Sequence, residues 1–267
     1  MPDGSGPQRS RLAGRPTTPA ECVIVALDAA STEANLSVVT RLSGHARWFK
    51  LGMRQFYADG QTVIRAIRQA EAQLFLDLKL HDIPHTVATA IESLGPIHPE
   101  LLTIHAAGGP AMIEGARAAV DRLGLSTRIL AVTVLTSLSE QDLSALGVVG
   151  STGDIAVRWG RMAVDAGAHG VVSSGHEASR MRQSIGSEPL IVTPGIRLPG
   201  DAAGDQQRIM TPGEATMAGA SHIVVGRPVI GAAEPLDSLG RIFTDIERTQ
   251  REMGRRHPQA TDSGKIA

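Results

Sequence analysis

Short apolar runs rich in Val, Ile and Leu alternate along the chain with longer segments in which apolar residues recur at helical spacing. This order is typical of repeated βα units. The predicted strands are residues 22–28, 46–51, 73–79, 100–105, 128–135, 170–174, 189–193 and 222–226. Eight strands with a helix after each predict an α/β protein, a single-domain (β/α)8 TIM barrel. An open doubly wound sheet is disfavoured because residues 28–31 contain no glycine for a dinucleotide-binding turn.

The two ends of the chain differ in composition from the segment between them. Residues 1–20 are rich in Pro, Gly and Arg and lack the apolar stretch of a signal peptide, so we expect a disordered tail there. A transit peptide is disfavoured because the prolines and glycines would break an amphipathic helix. The polar stretch at 251–267 predicts a flexible C-terminal tail. The barrel is therefore expected to span residues 21–250.

Composition narrows the possible partners. The formal net charge is −1 and aromatic residues make up 3% of the chain, which disfavours nucleic acid as a partner. No apolar run is long enough to cross a bilayer, so we expect no membrane association. Cys22 is the only cysteine, which excludes an internal disulfide and fits a reducing, cytoplasmic compartment.

The third predicted strand carries the clearest sign of chemistry. Its leucines at 74, 76, 78 and 80 alternate with Phe75, Asp77 and Lys79. If the leucines pack under the outer helices, both charges point into the barrel mouth, where such enzymes bind substrate. A structural ion pair is the alternative, but apolar residues would serve stability alone at lower cost. We therefore predict a charged active site here.

Lysine usage supports this interpretation. Of the 26 basic residues only Lys50, Lys79 and Lys265 are lysine. Two of the three lie at the ends of predicted strands, in a chain that otherwise uses arginine. A lysine ammonium is compact and able to donate its proton, whereas arginine stays protonated in proteins. Both lysines are therefore candidate catalytic residues.

A metal site is the competing interpretation of the next residues. His81 and His85, spaced by four, could join Asp77 and Asp82 as ligands. Pro84 interrupts the helical geometry that this spacing requires, and a lysine ammonium nearby would repel a divalent cation. We therefore expect no bound metal.

The last two strands predict a phosphate site. Gly226 and Arg227 close the eighth strand, where barrels often bind phosphate through backbone N–H groups and a guanidinium. The loop after the seventh strand runs from Pro194 to about Arg208, a length typical of a lid or binding loop.

Four motifs in order identify the family. They are Asp77-Leu78-Lys79-Leu80-His81-Asp82-Ile83-Pro84, Val192-Thr193-Pro194-Gly195-Ile196-Arg197, Gly204-Asp205-Gln206 and Val225-Gly226-Arg227. With these motifs the chain resembles the orotidine 5'-phosphate decarboxylase family over nearly all of residues 22–245. The resemblance implies a barrel homodimer without a cofactor that converts orotidine 5'-phosphate to UMP and CO2 in pyrimidine biosynthesis.

The resemblance also implies residue roles. Catalysis would rest on Lys79, Asp77, Lys50 and Asp82, with Asp82 reaching in from the other subunit. Substrate binding would involve Asp28, Ile83, Thr86, Thr136, Arg197, Gln206, Gly226 and Arg227. His105 and Ser137 have no assigned role.

Electrostatics explains the expected mechanism. Loss of CO2 from C6 leaves a carbanion with no conventional delocalisation, so preorganised cations must stabilise it. Lys79 would do so and then protonate C6, while Asp77 holds Lys79 in place.

Two rival functions are also compatible with these residues. One is a Mg²⁺-dependent sugar-phosphate decarboxylase or aldolase of the same barrel group, which would place an acidic metal ligand where this chain has Lys50. The other is a non-catalytic barrel that binds a phosphorylated ligand.

Overall fold

Eight parallel strands form a closed barrel in the order β1 to β8, with β8 pairing with β1. The computed structural model describes residues 16–198 and 210–256. The strands are β1 Val23–Ala26, β2 Trp48–Gly52, β3 Gln73–Leu80, β4 Leu101–His105, β5 Arg128–Val132, β6 Gly170–Val172, β7 Leu190–Thr193 and β8 His222–Val225. The (β/α)8 barrel predicted from the apolar runs is confirmed.

Helices follow the strands and form the outer layer of the barrel. In chain order they are α1 Pro19–Cys22, α2 Thr32–Arg41, α3 Met53–Gln69, α4 Pro84–Leu94, α5 Gly109–Arg122, α6 Glu140–Ala145, α7 Thr152–Asp165, α8 Ala178–Ile185, α9 Pro212–Met217, α10 Arg227–Ile230 and α11 Pro235–Arg256. Short 3-10 turns lie at Gly95–Ile97, Ala106–Gly108 and Gly175–Glu177. None of these helices is long and apolar enough to cross a membrane.

Helical structure extends slightly past both ends of the predicted domain, 21–250. Helix α1 begins at Pro19, capped by Thr18, whose side chain accepts a hydrogen bond from the Glu21 N–H. Helix α11 continues to Arg256. Residues 1–15 and 257–267, which make up most of the two predicted tails, lie outside the described residues.

The strand side chains divide between two apolar layers. Phe75 belongs to the cluster inside the barrel, with residues such as Trp48 and Leu130. The leucines at 74, 76 and 78 belong to the larger cluster beneath the helices, and Leu80 packs against it. The predicted alternation of β3 is therefore confirmed, since one face is apolar and meets the helices while the other faces the barrel interior.

The predicted and observed strand boundaries differ most at β5. The apolar run predicts a strand to residue 135, but β5 ends at Val132. The Thr133 N–H and hydroxyl still donate to the Val172 carbonyl oxygen at 3.1 and 3.0 Å, and the chain then turns, with the Leu138 N–H donating to the Leu135 carbonyl oxygen. Apolar residues beyond β5 therefore belong to a loop at the barrel mouth.

Candidate active site

Charged side chains that follow or lie in the first three strands meet at the barrel mouth. The Lys50 Nζ is 3.2 Å from Asp77 Oδ2 and 3.6 Å from Asp28 Oδ1. The Lys79 Nζ is 2.8 Å from Asp77 Oδ1. Asp28, Lys50, Asp77 and Lys79, called the charged cluster below, thus alternate in sign along a continuous chain of contacts. Four predicted site residues from separate parts of the sequence are brought together.

Burial strengthens the electrostatic interactions within the charged cluster. The side chains of Lys50 and Asp77 are 11% and 13% exposed, and that of Lys79 is 26% exposed. Burial alone would raise the pKa of Asp77, but the positive charges of Lys50 and Lys79 and the hydrogen bonds to its carboxylate hold that pKa below its usual range. Asp77 is therefore ionised at neutral pH, between two ammonium groups.

Strand β3 is irregular where it delivers Lys79. Leu76 pairs with Leu102 of β4, whereas Leu80 pairs with Ile104, so a step of four residues on β3 faces a step of two on β4. Lys79 has a φ of +50°, in the left-handed region that costs a non-glycine residue about 1–3 kcal/mol. Bulges next to active sites re-aim side chains, which is the effect here.

Thr103, which none of the four motifs contains, forms hydrogen bonds with both Asp77 and Lys79. Thr103 lies in β4 and is fully buried. Its hydroxyl is 3.0 Å from Asp77 Oδ1, to which it donates, and it accepts the Lys79 N–H at 2.9 Å. The sequence does carry a signal, because Thr103 is the polar residue of an otherwise apolar segment at 101–104.

The segment after β3 lies outside the cluster of its own chain. Asp82, Ile83 and Thr86 are all exposed, with Ile83 at 66%. Asp82 Oδ1 accepts the Ile83 N–H at 2.7 Å, and within the described parts of the chain Asp82 forms no ion pair with a lysine. These three predicted site residues are therefore not brought to the charged cluster within one chain.

A pocket of about 180 Å³, called the inner pocket, opens beside the cluster. Lys50, Asp77, Lys79 and Thr136 line its polar side. Its apolar wall consists of Phe75, Val132, Val134, Leu135, Val172, Pro194 and Val224. The structure thus places Thr136 with the lysines, and Ser173 and Ser174 add further polar groups to the lining.

A second cleft, of about 430 Å³, shares Lys50 and Asp77 with the inner pocket. This outer cleft is also lined by Asp28, Arg197, Gly226 and Arg227. Arg197 is buried and Arg227 is exposed. The predicted phosphate residues Arg197, Gly226 and Arg227 are therefore assembled in one place. Gln206, predicted to act with them, lies outside the described residues, as does the rest of segment 199–209.

The histidines beside β3 do not form a metal centre with the carboxylates. His81 and His85 are both exposed. Over residues 16–198 and 210–256, no three His, Cys, Asp or Glu side chains are grouped so that they could hold a metal ion. The His81 ring instead lies 5.2 Å from the ring of His105. Burial, and then the charges of His81 and Lys79, lower the pKa of His105.

Comparison with known proteins adds to this geometry. The model of the Orotidine 5'-phosphate decarboxylase / HUMPS family matches residues 21–242, which include all eight strands. The chain belongs to this family. The match contains the charged cluster and the residues that line the outer cleft.

Curated members of the family cover nearly the same part of the chain. The orotidine 5'-phosphate decarboxylase of Gluconobacter oxydans (strain 621H) is 44% identical over 228 residues, which cover 84% of this chain and 96% of the relative. That of Moorella thermoacetica (strain ATCC 39073 / JCM 9320) is 41% identical over 231 residues, covering 84% and 92%.

Solved structures share the fold. The orotidine 5'-phosphate decarboxylase of Lactobacillus acidophilus superposes with a TM-score of 0.75 at 34% identity, over 85% of this chain and 99% of that one. An uncharacterized conserved protein from Geobacillus kaustophilus superposes with a TM-score of 0.74 at 31% identity, over 84% and 99%.

Proposed function

We propose that this protein is an orotidine 5'-phosphate decarboxylase, which forms UMP and CO2 in pyrimidine biosynthesis. The observation that carries the proposal is the charged cluster, in which two lysines contact one ionised aspartate. The cluster lies at the mouth of a barrel that belongs to the orotidine 5'-phosphate decarboxylase / HUMPS family. Relatives at 41–44% identity carry this name.

The cluster suits a reaction that develops negative charge. When the bond from C6 to the carboxylate breaks, CO2 leaves and the electron pair stays on C6. A preorganised ammonium stabilises that carbanion most effectively in a site with little water. Lys79 supplies the ammonium and then donates a proton to C6, which gives UMP.

Asp77 has a supporting role in this mechanism. Its carboxylate lies 2.8 Å from the Lys79 Nζ and 3.2 Å from the Lys50 Nζ, so it orients both ammonium groups before substrate arrives. Groups fixed in advance need no reorganisation during the reaction, and this is the main source of electrostatic catalysis.

The two clefts suit the two ends of the substrate. The inner pocket accepts the pyrimidine against its apolar wall, beside Thr136. The outer cleft accepts the phosphate, with Gly226 and the guanidinium groups of Arg197 and Arg227 as its ligands. Lys50 lines both clefts and lies 3.6 Å from Asp28 of the outer cleft, and these two residues bind the ribose hydroxyls. Gln206 would bind the phosphate together with the two arginines.

We further infer a homodimer in which Asp82 completes the partner's cluster. Asp82 is exposed and unpaired with any lysine of its own chain within the described ranges, and Ile83 beside it is apolar yet 66% exposed. Met53 and Tyr57, in the helix after the neighbouring strand β2, are also exposed. Exposed apolar residues of this kind favour a protein interface, which Ile83 and Thr86 would join.

The reaction as proposed uses no cofactor, and the protein is proposed to act in the cytoplasm. A Mg²⁺-dependent sugar-phosphate enzyme is disfavoured because the ammonium of Lys50, held 3.2 Å from Asp77, opposes a divalent cation at that carboxylate.

A turnover assay tests the proposal directly. The purified full chain is incubated with orotidine 5'-phosphate, and the loss of its ultraviolet absorbance and the formation of UMP are followed. We expect stoichiometric conversion. Tight nucleotide binding without conversion would instead support a non-catalytic barrel.

Chelation separates the proposed reaction from the metal-dependent one. We expect full activity after exhaustive treatment with EDTA, because lysine ammonium groups supply the charge stabilisation. The measurement is kcat/KM before and after chelation, with added Mg²⁺ as the control. Loss of turnover that Mg²⁺ restores would favour the sugar-phosphate function.

A further inference from the structure

Thr103 lies between the carboxylate of Asp77 and the backbone N–H of Lys79, where strand β3 is distorted. Within β4, Leu101 lies in the cluster inside the barrel, and Leu102 and Ile104 lie in the cluster beneath the helices. By alternation Thr103 faces the interior, where it is fully buried. It is not among the residues that line either cleft.

The hydroxyl of Thr103 replaces a missing contact of the sheet. The register between β3 and β4 shifts between Leu76 and Leu80, so the regular ladder is interrupted where Lys79 takes its left-handed conformation. A buried backbone N–H needs an acceptor. The Lys79 N–H finds it in Thr103 Oγ1 at 2.9 Å.

The same hydroxyl fixes the carboxylate that holds the Lys79 ammonium. Asp77 Oδ1 accepts from the Lys79 Nζ at 2.8 Å and from Thr103 Oγ1 at 3.0 Å. An ionised carboxylate can only accept, so the single hydroxyl proton of Thr103 goes to Asp77, and its lone pairs remain for the Lys79 N–H. Thr103 therefore contacts the backbone of Lys79 directly and its ammonium through Asp77.

We propose that Thr103 is a positioning residue for decarboxylation, which sets the Lys79 ammonium through its backbone and through Asp77. The inference rests on the proposed function. In this proposal Thr103 touches neither substrate nor the reacting atoms. Its replacement should therefore change the rate of the chemical step and the pKa of the charged cluster, and should change substrate affinity little.

The test compares three variants of the full-length chain. Thr103→Val keeps the shape and removes the hydroxyl, and Thr103→Ser keeps the hydroxyl. Thr127→Val is the matched control, because Thr127 is also buried and donates to the Pro99 carbonyl oxygen at 2.7 Å, before the start of β5 and away from the charged cluster. Thr103→Ala serves if the valine variant fails to fold.

We expect Thr103→Val to lower kcat roughly 10- to 100-fold, the effect of one lost hydrogen bond to a charged group. Affinity for UMP should change less than about threefold, because the arginines of the outer cleft are intact. The acid limb of the pH profile of kcat/KM should move to higher pH, since Asp77 loses a hydrogen bond that favours its ionised form. Thr103→Ser and Thr127→Val should keep the wild-type rate and profile.

Two results would overturn the inference. One is a wild-type kcat and pH profile in Thr103→Val or Thr103→Ala. The other is a loss of rate that follows the melting temperature equally in the Thr103 and Thr127 variants, which would make Thr103 merely structural. Failure of the wild-type chain to decarboxylate orotidine 5'-phosphate would instead reject the proposed function.

Discussion

Among single residues, lysine and arginine occupy different parts of the site. Only three of 26 basic residues are lysine, and two of them lie within 3.2 Å of Asp77. Arg197 and Arg227 instead line the outer cleft. A lysine ammonium is compact and able to donate a proton, whereas a guanidinium presents a planar fork suited to phosphate. Under the proposed function, this distribution would separate proton transfer from anion binding.

Replacement of Lys79 by arginine tests this separation. We expect Lys79→Arg to lower kcat/KM by at least roughly 10²- to 10⁴-fold, the usual contribution of general acid catalysis. The guanidinium keeps the charge but holds its proton, and it is a larger, planar group in place of the compact Lys79 ammonium. Steady-state kinetics beside Lys79→Ala provide the measurement. Near-normal turnover by the arginine variant would show that Lys79 supplies charge alone.

Replacement of Arg227 tests the phosphate end. We expect Arg227→Ala to weaken UMP binding roughly 10- to 100-fold and to leave uridine binding unchanged, because a charged hydrogen bond to the phosphate is lost. Calorimetric titration with both ligands measures this. Arg161→Ala is the control, since Arg161 pairs with Asp165 on α7. Equal losses for UMP and uridine would place Arg227 away from the phosphate.

At the scale of elements, the strands hold residues in register that lie far apart in the sequence. His169, just before β6, joins three strands of the barrel. Its Nδ1 accepts the Ile129 N–H at 3.0 Å, its own N–H donates to the Ile129 carbonyl oxygen at 2.9 Å, and its carbonyl oxygen accepts the Leu190 N–H at 3.0 Å. Protonation of Nδ1 would remove the first of these bonds.

Acid should therefore destabilise the barrel through His169. Burial, and then the charges of Arg117 and Arg128, lower the pKa of His169 to about 4. The unfolded chain binds the proton more readily between about pH 4 and 6.5, so stability is complete above that window and falls as the pH decreases through it. The contribution is at most about 3 kcal/mol.

His169→Asn measures this contribution, because the asparagine oxygen can still accept the Ile129 N–H. We expect a smaller loss of unfolding free energy between pH 6.5 and 4 in denaturant titrations. His222, whose pKa burial lowers to about 3, keeps part of the slope. His45→Asn, at an exposed position, is the control for the substitution itself. An unchanged slope in His169→Asn would contradict the assignment.

For the whole molecule, closure of the barrel completes part of the proposed site, and the proposed pairing of two chains would complete another part. Because β8 pairs with β1, Val25 stands beside Val225, and Asp28 and Arg227 meet in the same cleft. Asp82, by contrast, is exposed on its own chain. In a two-fold dimer each subunit would lend this residue to the other.

Mixed dimers test the shared site. Inactive Lys79→Ala and Asp82→Ala chains are unfolded together and refolded, and turnover is measured. Each mixed dimer then has one site with both lesions and one with neither, so activity should return to about a quarter of wild type. Lys79→Ala mixed with Asp77→Ala is the control and should stay inactive, because both residues serve the same subunit's cluster. If Asp82 served its own chain, the first mixture would stay inactive as well.

The pattern of residues along the chain is enough to predict the barrel and most of the charged cluster. Alternation in β3 predicts that Asp77 and Lys79 share the inner face, and the structure has them in one ion pair. Seven of the predicted strands lie within two residues of the observed ends, since apolar periodicity follows directly from which side chains are buried. Lys50 could likewise be assigned from its place at a strand end.

Three features are visible only in the folded chain: the early end of β5, the left-handed conformation of Lys79 and the hydrogen bonds of Thr103. Each depends on contacts between strands, and local periodicity carries no information about those contacts. The apolar run to residue 135 has the composition of a strand, but its last residues, Val134 and Leu135, line the inner pocket. Thr103 acquires its role because the shifted register of β3 and β4 places its hydroxyl between Asp77 and the Lys79 N–H, some 24 to 26 residues away along the chain.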